Sequence, residues 1–148
     1  MQETKKKKRA VALFVIVLIC LCGWWAVRKE GFFLDEIYSY GLANSSYAPF
    51  LNWYYNGEHS FDGNLPEAVF EQQDFVNYIS VQKNDRFNYA SVYYNQTQDI
   101  HPPLFYFLLH TVCSLFPGSF TKWTGLGMNF VLLGGMLAAL ALFALLKR

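Results

Sequence analysis

Cysteine is scarce. Cys20, Cys22 and Cys113 are the only three in 148 residues, and all lie inside apolar runs. They offer neither a disulfide framework nor the paired spacing of a zinc site, and read as buried free thiols. Cys20 is no lipobox cysteine either, because Leu18 and Ile19 ahead of it are too bulky. No glycine-rich phosphate loop occurs, so nucleotide recognition by that route is excluded. Basic residues are few where nucleic acid would need them. From Arg28 to Asp99 there are four (Arg28, Lys29, Lys83, Arg86) against ten acids, a net of −6. A DNA or RNA binder carries its cations on the face that meets phosphate, so nucleic acid is excluded as a partner. There is no internal repeat and no low-complexity tract.

Apolar residues are plentiful, at 53% of the chain with 19% aromatic, more than a soluble domain of this size needs for its core. A bilayer is the natural sink for that surface. Residues 1–9 form a basic tail containing Lys5, Lys6, Lys7, Lys8 and Arg9, and residues 10–27 follow without a charge. Eighteen helical residues nearly span a hydrocarbon core of about 30 Å. Gly23-Trp24-Trp25 ends the run with no small-residue cleavage site, so it reads as an uncleaved anchor with tryptophans at the interface. The basic tail then stays inside, and residues 28–100 form an extracytoplasmic loop at the cell membrane.

Further apolar segments predict a second transmembrane helix over 101–119, a cytoplasmic turn over 120–123 marked by the preceding Phe116-Pro117-Gly118-Ser119, and a third helix over 124–146. Parity would put Lys147 and Arg148 outside, against the positive-inside tendency. Either the second segment is re-entrant or helices further along override the rule, and the second alternative is the one adopted. Gly125, Gly127, Gly134, Gly135, Ala138, Ala139 and Ala141 give the last helix small faces for packing against further helices, of the same chain or of a partner. The expected fold is therefore an all-α membrane protein with three transmembrane helices, a long outer loop containing juxtamembrane helices, and the character of a piece of something larger.

The loop carries nine tyrosines, seven phenylalanines and one tryptophan, too aromatic for a disordered linker. Asn64-Leu65-Pro66 predicts a helix start, with Ala68, Val69, Phe75, Val76 and Ile79 along one apolar face. Phe87, Tyr89, Ser91 and Tyr93 alternate with other residues, as a strand or an irregular stretch would. Asn44-Ser45-Ser46 and Asn95-Gln96-Thr97 match the glycosylation sequon, too short a pattern to carry a function.

Two spots combine ionisable groups with the membrane surface. Asp35 and Glu36 follow Phe32, Phe33 and Leu34 just beyond the first helix. Adjacent acids on a helix point about 100° apart, so one can act as a base while the other binds a cation or a backbone donor. The plain alternative is a solvated helix start, where acids favour the positive end of the dipole. Partial desolvation by the three apolar neighbours would make Asp35 the better base. The second spot is Asp99-Ile100-His101-Pro102-Pro103-Leu104, where two prolines suit a first helical turn. His101, with Asp99 to orient its ring, is placed to meet an anionic group such as a lipid phosphate at a helix N-terminus. The plain alternative there is an interfacial histidine without a ligand. His110 lies deeper and reads as a packing residue, and His59 is uninformative.

The basic start, one helix, Asp35-Glu36 just past it, a loop of this size and then Asp99-Ile100-His101-Pro102-Pro103-Leu104 together resemble the N-terminal part of the protein O-mannosyltransferases and their bacterial relatives. These form glycosyltransferase family 39, polytopic membrane enzymes of the type C fold. Aminoarabinose transferases acting on lipid A are similar but carry lysine before the prolines. The resemblance covers nearly the whole chain, but only the start of such an enzyme. It implies a polyprenyl-phosphate-linked sugar as donor, transfer to an acceptor hydroxyl on the outer face of the membrane, Asp35 as catalytic acid residue with Glu36 beside it, and His101 with Asp99 near the donor phosphate. No cofactor is required by the sequence, and a divalent metal stays open at the paired acids. Partners are then the lipid-linked sugar, membrane lipid and an acceptor the sequence does not identify. The rival reading is a non-catalytic membrane module that binds a partner protein or lipid, indifferent to Asp35 and His101 and dependent on the small faces of the last helix.

Overall fold

The computed structural model describes residues 2–51 and 70–146, and every element among them is helical. The chain divides into two units, residues 1–31 and 32–148.

The first unit is built on α1, Gln2–Arg28. From Lys8 to Arg28 it is long and apolar enough to cross a bilayer, and almost none of this stretch is buried within the protein. Its end is an aromatic and cationic cluster. Trp24 and Trp25 meet edge to face at 5.2 Å, and the Arg28 guanidinium lies 4.4 Å over the Trp24 ring. Such a group suits the headgroup level of a membrane.

The second unit contains α2 (Leu34–Asn44), α3 (Gln72–Ile79), a 3-10 turn (Lys83–Asp85), α4 (Tyr89–Gln96), α5 (Pro103–Ser114) and α6 (Lys122–Leu146). The short helices start where side chains satisfy orphan N–H groups. Glu36 accepts from the Phe33 N–H at 2.9 Å, Asp74 from the Glu71 N–H at 2.8 Å, and Asn88 from the Ser91 N–H at 3.2 Å. Phe33 has no polar side chain to return the bond, so α2 begins with half a capping box. Phe75, Val76 and Ile79 do lie on α3, whereas Asn64-Leu65-Pro66, Ala68 and Val69 fall outside the described residues. The alternation over Phe87–Tyr93 is overturned. Once Asn88 caps α4, Tyr89 and Tyr93 become an i, i+4 pair on its exposed side, while Val92 and Asn95 turn fully inward.

Helix α2 is central to this unit and packs against α3, α4 and α5. It closes on α3 through a glycine, since a Cβ on Gly41 would lie 1.9 Å from the Tyr78 ring. The ring cannot easily yield, because its hydroxyl is buried and donates to the Pro49 carbonyl at 2.8 Å. Both sequon asparagines are structural. Asn44 donates to the Ile79 carbonyl at 2.8 Å and Asn95 to the Ser45 carbonyl at 2.9 Å, and both side chains are buried, closed to a glycan.

The helix expected over 101–119 forms only over Pro103–Ser114. α5 has 12 residues, about 18 Å of helix, against a hydrocarbon core of about 30 Å. Pro117 disfavours helical geometry at Phe116, and Gly118 turns the chain with φ +74°. Among the described residues, only α1 and α6 are long and apolar enough to cross a membrane. α6 also begins earlier than predicted, at Lys122, and Phe120 in the expected turn packs 4.7 Å from Phe32 and 4.8 Å from Tyr40.

The Gly41–Tyr78 approach makes a direct prediction. Gly41→Ala should destabilise the second unit by about 2 kcal/mol or more through overpacking. Gly127→Ala, where a Cβ meets open space, should leave stability nearly unchanged. Thermal unfolding of both variants in detergent, followed by loss of helical signal, checks this, and equal midpoints would contradict it.

Candidate functional site

The Asp99–His101 element folds into a hydrogen-bonded pair at the mouth of α5. Chain geometry makes this possible, because the Asp99 N–H closes a turn onto the Gln96 carbonyl at 3.2 Å, and Pro102 and Pro103 then start the helix. The His101 Nδ1 stands 2.9 Å from Asp99 Oδ2 and 3.1 Å from Oδ1. The His101 side chain is 63% exposed while that of Asp99 is only 14% exposed. The acid is thus the sheltered, orienting partner, and the imidazole is presented to the outside.

Burial raises the Asp99 pKa. Hydrogen bonds to its carboxylate from His101, the Ile100 backbone N–H and the Tyr106 hydroxyl outweigh that and hold it below the usual carboxylate range. The Tyr106 bond is 3.3 Å, to Oδ2. Tyr106 is buried one turn into α5, and the Ser39 hydroxyl of α2 also stands beside its phenol. Ser39 in turn donates to the Asp35 backbone carbonyl at 2.8 Å. The two halves of the site are linked in this way: Asp99 to Tyr106, Tyr106 to Ser39, and Ser39 back one helical turn, about 6 Å, to Asp35.

The paired acids take separate roles. Glu36 is committed to the start of α2 through the Phe33 N–H, which matches the plain helix-start reading. Asp35 is exposed, and the apolar shield expected around it is not formed among the described residues. Phe33 and Leu34 are themselves exposed, and Phe32 turns away onto Phe120 and Tyr40. Among the described residues, no group of three or more histidine, cysteine, aspartate or glutamate side chains is placed to hold a metal. His59 lies outside the described residues.

Sequence reasoning missed Tyr106 and Ser39. The available signal was a hydroxyl-bearing aromatic one turn into a mostly apolar helix, with an acid ahead of the prolines. It also treated His110 as a satisfied packing residue. His110 is 1% exposed, but neither ring nitrogen has a well-formed hydrogen bond among the described residues. The backbone groups of Ala43 and Asp85 lie near it, and Tyr89 packs edge-on at 5.8 Å.

No family model matches this sequence, and no curated protein and no solved structure matches it either.

The depressed Asp99 pKa sets a pH dependence. Its stabilising effect is fully present above the unfolded value of about 3.8 and is lost as pH falls through the lower value of the folded protein. Asp99→Asn should therefore lower the unfolding midpoint relative to the parent at pH 6. The difference should shrink on acidification below about pH 4. Denaturation followed across pH 3–7 checks the sign, and a difference that grows towards low pH would contradict it.

Proposed function

We propose that this chain carries the acceptor-activating and donor-phosphate-binding residues of a membrane glycosyltransferase that uses a polyprenyl-phosphate sugar at the outer face of the membrane. The observation that carries the reading is the exposed His101, held through Nδ1 by Asp99 at the N-terminus of α5 and tied through Tyr106 and Ser39 to the helix bearing Asp35.

The chemistry follows from the groups. An acceptor hydroxyl attacks the anomeric carbon of the donor, and its proton passes to the Asp35 carboxylate. As the new C–O bond forms, the bond from the anomeric carbon to the phosphate oxygen breaks and the polyprenyl phosphate departs with the electron pair. Negative charge grows on the departing phosphate. An imidazolium at His101 donates from both ring nitrogens, one to Asp99 and one to that phosphate. The N–H groups in the first turn of α5 add a favourable field for the anion. Asp35, with no side-chain partner among the described residues, is free to take the proton, while Glu36 supports the helix that presents it.

The alternative of a non-catalytic membrane module draws on α6, where Gly127, Gly134 and Gly135 each leave open space for a neighbour. One assay separates the two. Membranes carrying the protein are supplied with a radiolabelled polyprenyl-phosphate sugar, and transfer is measured against donor concentration. Asp35→Asn should lower turnover by about 10²-fold or more with the protein still inserted. Glu36→Gln should cost less, and His101→Ala should raise the donor concentration needed for half-maximal transfer. Parental turnover in both Asp35→Asn and His101→Ala would sink the proposal. Loss of function in Gly134→Leu alone would then favour the module.

A further inference from the structure

The segment after α5 does not lead away from the body that holds Asp99 and His101; it returns to it. The Arg86 Nε donates to the Ser114 carbonyl at 2.8 Å, and the Phe87 N–H donates to the Ser114 hydroxyl at 3.0 Å. Four residues on, the Gly118 N–H donates to the Val81 carbonyl at 2.8 Å. At the start of α6, the Tyr40 hydroxyl accepts from the Gly125 N–H at 2.8 Å. Thus the C-terminal end of α5 and the turn behind it are bonded to the loop around the charged turn Lys83–Asp85, and the start of α6 is bonded to α2. A helix of about 18 Å whose far end is bonded back to the body it left is too short to carry the chain across a hydrocarbon core of about 30 Å.

α5 is nevertheless apolar on two sides. Its inner side buries Tyr106, Leu109, His110 and Cys113. Its outer stripe presents Leu104 at 68% exposure, Leu108 at 36% and Leu115 at 56%, and continues into Phe116 at 60%. Beside the stripe, a cleft of about 550 Å³ runs between α5 and α6, walled by Leu108, Val112, Phe116, Met128 and Leu132. The cleft's far wall is therefore the helix long and apolar enough to cross the membrane. At its mouth the Lys122 ammonium lies 5.1 Å over the Trp123 ring, a headgroup-level pair at the start of α6.

The geometry points to a two-span topology in which α5 is an interfacial helix, its outer stripe and the α5–α6 cleft seated on the acyl chains of outer-leaflet lipid. Residues 28–121 then stand on one side of the membrane, and α6 is the second and returning span. The sequence supplies an independent argument. With three spans, Lys147 and Arg148 fall outside and break the positive-inside tendency, whereas with two they join Lys5 to Arg9 inside. An apolar stripe continuous with a spanning helix meets lipid before it meets any soluble partner. This inference stands apart from the glycosyl-transfer reading and is tested without an activity.

Single cysteines are introduced at Asn84, Ser119 and Lys147, and a membrane-impermeant maleimide is applied to intact cells, with labelling scored above that of the parent chain. Asn84→Cys and Ser119→Cys should both be labelled, and Lys147→Cys only after permeabilisation. Labelling of Asn84→Cys with Ser119→Cys protected until permeabilisation would restore α5 as a span and overturn the inference. The lipid contact is read separately from a spin label at Leu115→Cys in liposomes. High oxygen and low nickel-chelate accessibility supports a lipid-facing stripe. Access to the nickel chelate, meaning water, or exclusion of both, meaning a protein partner, overturns it.

Discussion

Ser114 closes the far end of α5 with two bonds. Its carbonyl, one of the last of the helix and without an intrahelical partner, accepts from Arg86, and its hydroxyl accepts from the Phe87 N–H. The residue is fully buried, so neither group has water as a substitute. Phe87 adopts φ +56° there, a backbone state that costs a bulky residue energy and is held by its surroundings. The Arg86 charge also lies at the negative end of the helix dipole. Because this end is fixed, the helix stops after three turns, the chain folds back at Gly118, and α6 starts from the same body that presents His101.

The other end of α5 carries the exposed chemistry, and α2 lies alongside to serve both. Tyr40 of α2 reaches the first turn of α6, and Gly125 leaves room for its hydroxyl, which a Cβ there would meet at 2.6 Å. Burial pushes the Tyr40 phenol pKa up, which keeps it neutral and able to accept from that N–H. Ser39, the residue before it, stands at Tyr106 and so at the acid that orients His101. At the C-terminal end of α2, Asn44, Ser45 and Asn95 form a polar core in which the donors are used, while the amide oxygens of Asn44 and Asn95 have no partner among the described residues. A polar cluster of this kind specifies how α2, α3 and α4 meet more than it stabilises them.

Local pattern was enough to find the two long helices, because eighteen or more uncharged residues exceed what a soluble core of this size needs. It was also enough for the helix start at Pro102-Pro103 and the orienting partnership of Asp99 and His101, which depend on residues two apart and on proline's missing N–H. The acids at 35 and 36 were visible as a pair, yet their division of labour was not. Glu36 is consumed by the Phe33 N–H, and Asp35 loses the expected apolar cover because Phe32 packs on Phe120, eighty-eight residues away.

The sequence by itself determined that the protein is helical, that it carries three apolar segments, and where its ionisable groups stand along the chain. Those properties are local sums of hydropathy, charge and propensity over a turn or a span. Only the tertiary structure decided that the helix within 101–119 is limited to Pro103–Ser114, that Tyr89–Gln96 is helical, and that Tyr106 and Ser39 join the two motifs. Each of these rests on contacts between residues far apart: Gly118 on Val81, Arg86 on Ser114, and Tyr106 between α5 and α2. Hydropathy counts how apolar a segment is, and cannot tell whether its apolar side meets lipid or the inside of its own fold.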